Sequence, residues 1–391
     1  MRPEPVRVLA HSGAAGILRS ELTRRGFLAT ALAAGGTMLF TACAPGQVGT
    51  APQAKGGPLE DRLSIYTWSD YDDPEILSEF TSQAGPKIVV DAFNSNEELI
   101  AKLVAARGTS GYDIVVPSGL FVMPMAENGL LEKLDLDLIP NFSTMNPAFI
   151  HRTFDPDNSY SICKAWGTTG FVYDKRVINR ELTDWSDFID AAQNEASGRT
   201  SVLDDPAPLC GIYHWSHGID WNTTRKKDLD ACEKFLVNEL APHISIFDSA
   251  PGGQVIPQAT AALVQSYSGD ARIGIDESDD PERWQWVLGA PDTELWMDNW
   301  AIAKGARHPE AAHAFIDYMI SPDIQVQQVD YIGYDTGVQG TQQKAEEAEL
   351  DRLDMVYFSD EQVKTMHEQK FTEAQERIVS IWNRVKVAAG A

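Results

Sequence analysis

The sequence predicts an α/β protein of two domains, on three observations. Short apolar strand candidates alternate with amphipathic helix candidates. Polar residues gather where those strands end. The chain has 391 residues with 43% apolar and 23% charged content, enough for two separate cores. Taken in order, LSIYTW, PEILSEFTSQAG, KIVVDAF, NEELIAKLVAARG and YDIVVPS read strand, helix, strand, helix, strand, which implies a parallel sheet with crossover helices. The strands hand over to Ser69-Asp70-Tyr71, Asn94-Ser95-Asn96 and Pro117-Ser118-Gly119. Open α/β sheets bind ligands at that edge, so these loops are the expected lining of a cleft.

A second α/β stretch begins near WGTTGFVYDK and runs to about VLGAPDT, with helices expected over DWSDFIDAAQNEA and DLDACEKFLVNELA. LWMDNWAIAKGARHPEAAHAFIDYMISPDIQ then reads as a strand followed by an amphipathic helix with a proline at its start and another past its end. No internal repeat is visible. GTTG and APGG lack the spacing that cradles phosphate.

The N-terminal region carries an address rather than a fold. Arg24 and Arg25 precede a small-residue apolar stretch from Gly26 to Ala42, too short and too rich in Gly and Ala to span a membrane. Thr23-Arg24-Arg25-Gly26-Phe27-Leu28 resembles a twin-arginine export signal, and Phe40-Thr41-Ala42-Cys43 resembles a lipobox, whose cysteine is lipidated. Phe40 stands where a lipobox usually has Leu, and a simple signal anchor with an unmodified Cys43 is the alternative. APGQVGTAPQAKGGP follows as a flexible tether. Cys163, Cys210 and Cys232 remain; an exported protein could join Cys210 to Cys232, a pairing that spacing alone does not fix. The spacing matches no zinc motif, so no metal is expected.

The formal charge is −25, while the first 42 residues carry five arginines against two glutamates, so the body is more acidic still. Such a surface repels nucleic acid and anionic lipid and attracts cations. His214 and His217 are three apart but have no third ligand nearby. No serine sits in a nucleophile frame. What stands out is TWSDY at 67–71, YSGD at 267–270 and WMDNW at 296–300, each placing an aromatic ring beside a carboxylate at a strand end. An alkylammonium ligand needs carboxylates for its donors and apolar faces for its methylenes, and each Trp or Tyr face adds roughly 0.5–2 kcal/mol of cation–π attraction. Asp72 and Asp73, followed by Pro74, read instead as the cap of the next helix.

From Leu63 to about Lys386 the chain resembles the polyamine-binding proteins of bacterial ABC importers, of the spermidine/putrescine type. The resemblance rests on IYTWSDYDDPEILSEF, SNEELIAKL, YDIVVPS, FDPDNSYSICKAWGTTGFVYD, LDDPAP, YSGDA, WMDNWAIAKGARHPEAAHAFIDYMISPDIQVQ and YIGYDTG, in the family's order. It implies a two-lobed periplasmic-binding-protein fold of type II with the ligand cleft between lobes. The lobes would be 60–167 with 298–340 and 168–297 with 341–391, after a signal peptide at 1–42 and a lipidated tether at 43–59. Carried over residue by residue, it implies ligand contacts from Trp68, Ser69, Asp70, Tyr71, Ser118, Asp205, Tyr267, Trp296, Asp298 and Tyr334. Asp70, Asp205 and Asp298 would pair with ammonium groups, while Trp68, Tyr267 and Trp296 stack on methylenes.

Three departures accompany it. Leu120 stands where the spermidine binder has a tyrosine, and Pro208 where it has a second carboxylate beside Asp205; near Glu368 and Gln369 a lining glutamine has no clear match. Losing the charge-assisted bond at Pro208 removes roughly 1.5–3 kcal/mol from that ammonium's site. The expectation is therefore a monomeric, exported, lipid-anchored binding protein without cofactor or metal and without enzymatic activity. Its partners would be a polyamine, an ABC permease with its ATPase, and the membrane through Cys43. The same fold holding another amine-bearing solute or ferric iron, the latter on Tyr331 and Tyr334, is one alternative; a secreted hydrolase is the other.

Overall fold

The computed structural model describes residues 52–93 and 95–391. The export signal, Cys43 and the start of the tether lie outside the described residues. In chain order come β1 (Arg62–Trp68), α1 (Pro74–Ala84), β2 (Lys87–Phe93), α2 (Asn96–Ala106), β3 (Ile114–Val115), α3 (Gly119–Glu127) and β4 (Ile162–Asp174). Next are α4 (Trp185–Gln193), β5 (Thr200–Leu203), α5 (Pro206–Ser216), α6 (Lys226–Phe235), β6 (Ile244–Asp248), β7 (Leu263–Tyr267), α7 (Ser268–Asp276) and β8 (Trp284–Val287). The chain ends with β9 (Thr293–Ile302), α8 (Pro309–Met319), α9 (Gln325–Ile332), α10 (Thr341–Glu347), β10 (Met366–Glu368) and α11 (Gln375–Ala389).

Two compact units divide this chain. One runs to Lys164 and takes in Asp298–Gln328 and Thr336–Gln339; the other comprises Ala165–Met297, Val329–Asp335 and Gly340–Ala391. β4 and β9 each begin in one unit and end in the other.

In the first unit β1 pairs in parallel with both β2 and β3, as the strand–helix alternation predicts, and β3 pairs antiparallel with the end of β9, Ile114 opposite Ile302. The helices are fixed by local chemistry. Asp73 caps α1 by accepting from Glu75 N at 2.8 Å, with Pro74 in the first turn, and Ser95 caps α2 by accepting from Glu98 N at 3.2 Å. Tyr66, Phe93, Leu99, Leu103, Val115 and Val122 form the core between them, each large side chain contributing about 1.5–3 kcal/mol by leaving water. The last part of the expected tether is tied down: Lys55 N and Gly56 N donate to the Glu310 carboxylate at 2.6 and 3.2 Å.

In the second unit β4 pairs antiparallel with β7 and β8, and β5 pairs in parallel with β7 and β6. Phe171, Trp185, Phe188, Trp215 and Ile381 are among the buried residues of its core. Cys210 and Cys232 lie in this core and Cys163 is buried in the first unit; among the described residues no disulfide joins them. No helix among the described residues is long and apolar enough to cross a membrane.

Candidate functional site

The ten residues singled out in the sequence fall into two groups, one in each unit. In the first, β1 ends at Trp68, whose ring packs on Phe93 with centroids 4.7 Å apart. Its buried indole Nε1 finds no hydrogen-bond partner among the described residues. Ser69 and Asp70 are exposed in the following turn, and Asp70 takes the left-handed conformation, φ 52°, that a short polar side chain tolerates. The chain then turns inward at Tyr71 and Asp72.

Ser118 and Asp298 meet where β3 and β9 run on past their ladder, and Ser118 Oγ donates to Asp298 Oδ1 at 2.6 Å. Asn96 fixes the serine from the other side: its Oδ1 accepts from Ser118 N at 3.0 Å and its Nδ2 donates to Ser118 Oγ at 3.1 Å. Because that hydroxyl is committed to Asp298, Ser118 stands at the N-terminus of α3 without capping it. Asp298 is buried, and burial pushes its carboxyl up to about 6, against the Ser118 hydrogen bond, the nearby Tyr71 and the positive field of Lys164.

In the second unit Asp205 caps α5, accepting from Ala207 N at 3.1 Å, with Pro206 behind it in the first turn. Its Oδ2 accepts from the Tyr267 hydroxyl at 3.3 Å. Burial pushes the Asp205 carboxyl up, and no basic side chain among the described residues pairs with it. Burial likewise drives the Tyr267 phenol well up, reinforced by the negative charges of Asp205 and Glu294. Tyr267, at the end of β7, meets the ring of Trp296 edge-on at 5.9 Å, and Trp296 meets Tyr334 edge-on at 4.7 Å.

Two glycines make room for this aromatic group. A Cβ on Gly167 would lie 2.6 Å from Trp296 Cζ2, and one on Gly269 would lie 2.6 Å from both the Gly333 carbonyl and the Tyr334 ring. Tyr334 Oη accepts from Asp270 N at 3.0 Å. The Asp270 side chain turns away, accepting from Gly252 N and Ser266 Oγ. Of the YSGD cluster, then, Tyr267 belongs to the aromatic group while the acid serves the backbone.

Pro208 is buried in α5 with its carbonyl accepting from Gln265 Nε2 at 2.8 Å, a structural contact where the resemblance implies a carboxylate. His214 is buried with neither ring nitrogen partnered among the described residues, and burial lowers it to about 4, leaving it neutral. His217 stacks on Tyr213 at 4.0 Å. Among the described residues no three His, Cys, Asp or Glu side chains gather to hold a metal ion. Tyr334 is 8% exposed and bonded within the aromatic group whereas Tyr331 is 38% exposed, so the pair shares no common environment for iron.

Each group therefore offers a buried or half-buried carboxylate beside aromatic faces, the chemistry of a cation receptor. Residues 75–353 match the family described as bacterial extracellular solute-binding protein. The chain belongs to that family. It is 30% identical over 275 residues to the spermidine/putrescine-binding periplasmic protein of Escherichia coli, covering 70% of this chain and 77% of that one. It is 25% identical over 357 residues to a putrescine/agmatine-binding protein of Pseudomonas aeruginosa, covering 88% and 96%. Its fold is similar to the crystal structure of a spermidine/putrescine ABC transporter substrate-binding protein from Streptococcus pneumoniae, with a TM-score of 0.73, 27% identity, and coverage of 84% and 100%. A lipoprotein of Treponema pallidum gives a TM-score of 0.73 at 26% identity, with coverage of 83% and 99%. This solute-binding protein thus has the two-lobed type II periplasmic-binding-protein fold, works outside the cytoplasm, and is a binder rather than an enzyme.

The cap reading of Asp72 needs correction. Asp73 alone caps α1; Asp72 is buried and forms an ion pair with Lys164 at 2.9 Å. Lys164 is the residue that sequence reasoning passed over. Its Nζ also donates to the Tyr71 carbonyl at 2.7 Å and lies 4.2 Å from the Tyr71 ring centroid and 4.5 Å from that of Trp300. A signal was available: in the strand ICKAWGTTGFVYD it is the one basic residue, in a run buried throughout.

Proposed function

We propose that this protein is exported by a twin-arginine signal, is anchored by lipid on Cys43, and binds a polyamine for delivery to an ABC permease and its ATPase. The observation that carries the ligand reading is Asp205: a carboxylate pushed up by burial, without a basic partner among the described residues, against the phenol of Tyr267. A carboxylate so placed gains when an ammonium arrives, because each charge offsets the desolvation of the other. Asp298, held by Ser118 at 2.6 Å, is likewise pushed up by burial in the other unit.

Trp68, Tyr267, Trp296 and Tyr334 would supply apolar faces for methylenes, with Ser69, Asp70, Tyr71 and Ser118 completing the contacts. The relatives named for spermidine, putrescine and agmatine support the amine class. The residues fit no chemistry on the ligand; selectivity comes from where the carboxylates stand. The test is isothermal titration of residues 44–391 with putrescine and spermidine, alongside a sugar and an amino acid. Micromolar binding of an amine, about −8 kcal/mol, is expected. Heat from the sugar or the amino acid and none from either amine overturns the ligand class.

A further inference from the structure

The Lys164 ammonium already has the surroundings that sequence reasoning assigns to a ligand's. A carboxylate oxygen lies at 2.9 Å, a carbonyl oxygen at 2.7 Å, and two aromatic faces at 4.2 and 4.5 Å. The side chains of Lys164 and Asp72 are 1% and 2% exposed, so solvent ions do little to screen them. Two of the surrounding groups come from Tyr71, one of the proposed ligand contacts. Trp300, the other aromatic face, stands two residues from Asp298 on the same face of β9, and the positive charge of Lys164 draws the Asp298 carboxyl down.

Asp72, Lys164 and Asp298 together therefore present one net negative charge to a ligand, where the two acids alone would present two. A carboxylate has about four acceptor positions, and the Ser118 hydroxyl leaves Asp298 with room for an ammonium.

We propose that Lys164 is a resident cation filling an ammonium cage made by Tyr71, Trp300 and Asp72, so that this unit takes one ligand ammonium, at Asp298, and the protein selects against ligands that bring a second charge there. The inference rests on the amine reading above. It makes Lys164 a specificity determinant, although it need not touch the ligand.

The experiment is a charge series on residues 44–391: wild type, Lys164→Met, Asp72→Asn and the double variant Lys164→Met/Asp72→Asn, each titrated with putrescine and spermidine. Lys164→Met is expected to shift preference toward the triamine on the order of tenfold. Asp72→Asn leaves the lysine uncompensated and is expected to weaken both amines by about the same factor, and the double variant is expected to return close to the wild-type ratio. If Lys164→Met does not fold, Asp72→Asn against the double variant carries the comparison.

The titration of the Asp298 carboxyl by ¹³C NMR gives a readout independent of any ligand: upward in Lys164→Met, downward in Asp72→Asn. A putrescine-to-spermidine ratio constant across the series with an unmoved Asp298 titration overturns the inference and leaves the ion pair as a brace for the 69–73 turn. If the wild type binds neither amine, the ligand reading fails, and the Asp298 titration alone decides whether Lys164 is a resident cation.

Discussion

Asp298→Asn should make the unliganded protein more stable while weakening its ligand. Burial raises the Asp298 carboxyl from the ordinary 3.8 to about 6. A shift of roughly 2 units corresponds to about 3 kcal/mol of differential interaction between its protonation states. Because the folded value lies above the unfolded one, this penalty is absent below pH 4, builds as pH rises from about 4 to 6, and is complete at neutral pH. An asparagine keeps an oxygen for the Ser118 hydroxyl at the position now 2.6 Å away, but its amide hydrogens need acceptors that the acid does not require. Leaving them poorly satisfied costs about 1–3 kcal/mol, so the net gain is expected to be about 1–2 kcal/mol at best. The assay is thermal unfolding of the unliganded variant and wild type at pH 7.5 and pH 4.5, with amine titration at pH 7.5. The variant should melt a few degrees higher at pH 7.5, the difference should shrink at pH 4.5, and amine affinity should fall by at least about tenfold, the worth of one charge-assisted hydrogen bond. A variant that melts lower at pH 7.5 than wild type, or binds amine as tightly, refutes the assignment of Asp298 as a strained ligand carboxylate.

His214 gives the opposite pH signature. Its folded value near 4 lies below the ordinary 6.5, so stability is full above pH 6.5 and falls as pH drops toward 4; His214→Leu should flatten that fall in urea titrations while costing little at pH 7.5. Gly167→Ala should displace Trp296, whose Cζ2 would stand 2.6 Å from the new methyl, and fluorescence and amine affinity should change together while Gly253→Ala, with open space at its Cβ, leaves both unaltered. In residues 44–391 the three cysteines are buried and no disulfide joins them among the described residues, so Ellman's reagent should count three, reacting on unfolding rather than in the native state. A polyamine at 100 times its dissociation constant should add about 2.7 kcal/mol to stability, read as a rise in melting temperature.

Local chemistry made much of the fold legible. Asp73-Pro74 marks a helix start because a cap and a first-turn proline act over three residues, and β1 pairs in parallel with β2 and β3 as their alternation with helices requires; Asp205, read only as a ligand carboxylate, also caps a helix. The aromatic and acidic clusters were legible as cation chemistry. What they could not reveal is whose cation: Asp72 and Lys164 are 92 residues apart, and nothing local to TWSDYDD marks one acid as already paired. For the same reason Asp270 looked like Asp298 in the sequence; only the long-range approach of Gly252 shows that it binds backbone. Asn96 was hidden as an ordinary helix-start residue, since its hold on Ser118 depends on β2 and β3 ending on either side of β1.

The central claim is that Asp205 and Asp298 are ammonium receptors, and a crystal structure of residues 44–391 grown with putrescine or spermidine tests it most directly. The account requires amine nitrogens within about 3 Å of both carboxylates and methylenes on the Trp296 face. An amine bound with either carboxylate untouched, or lying in the Lys164 cage with that lysine displaced, contradicts it.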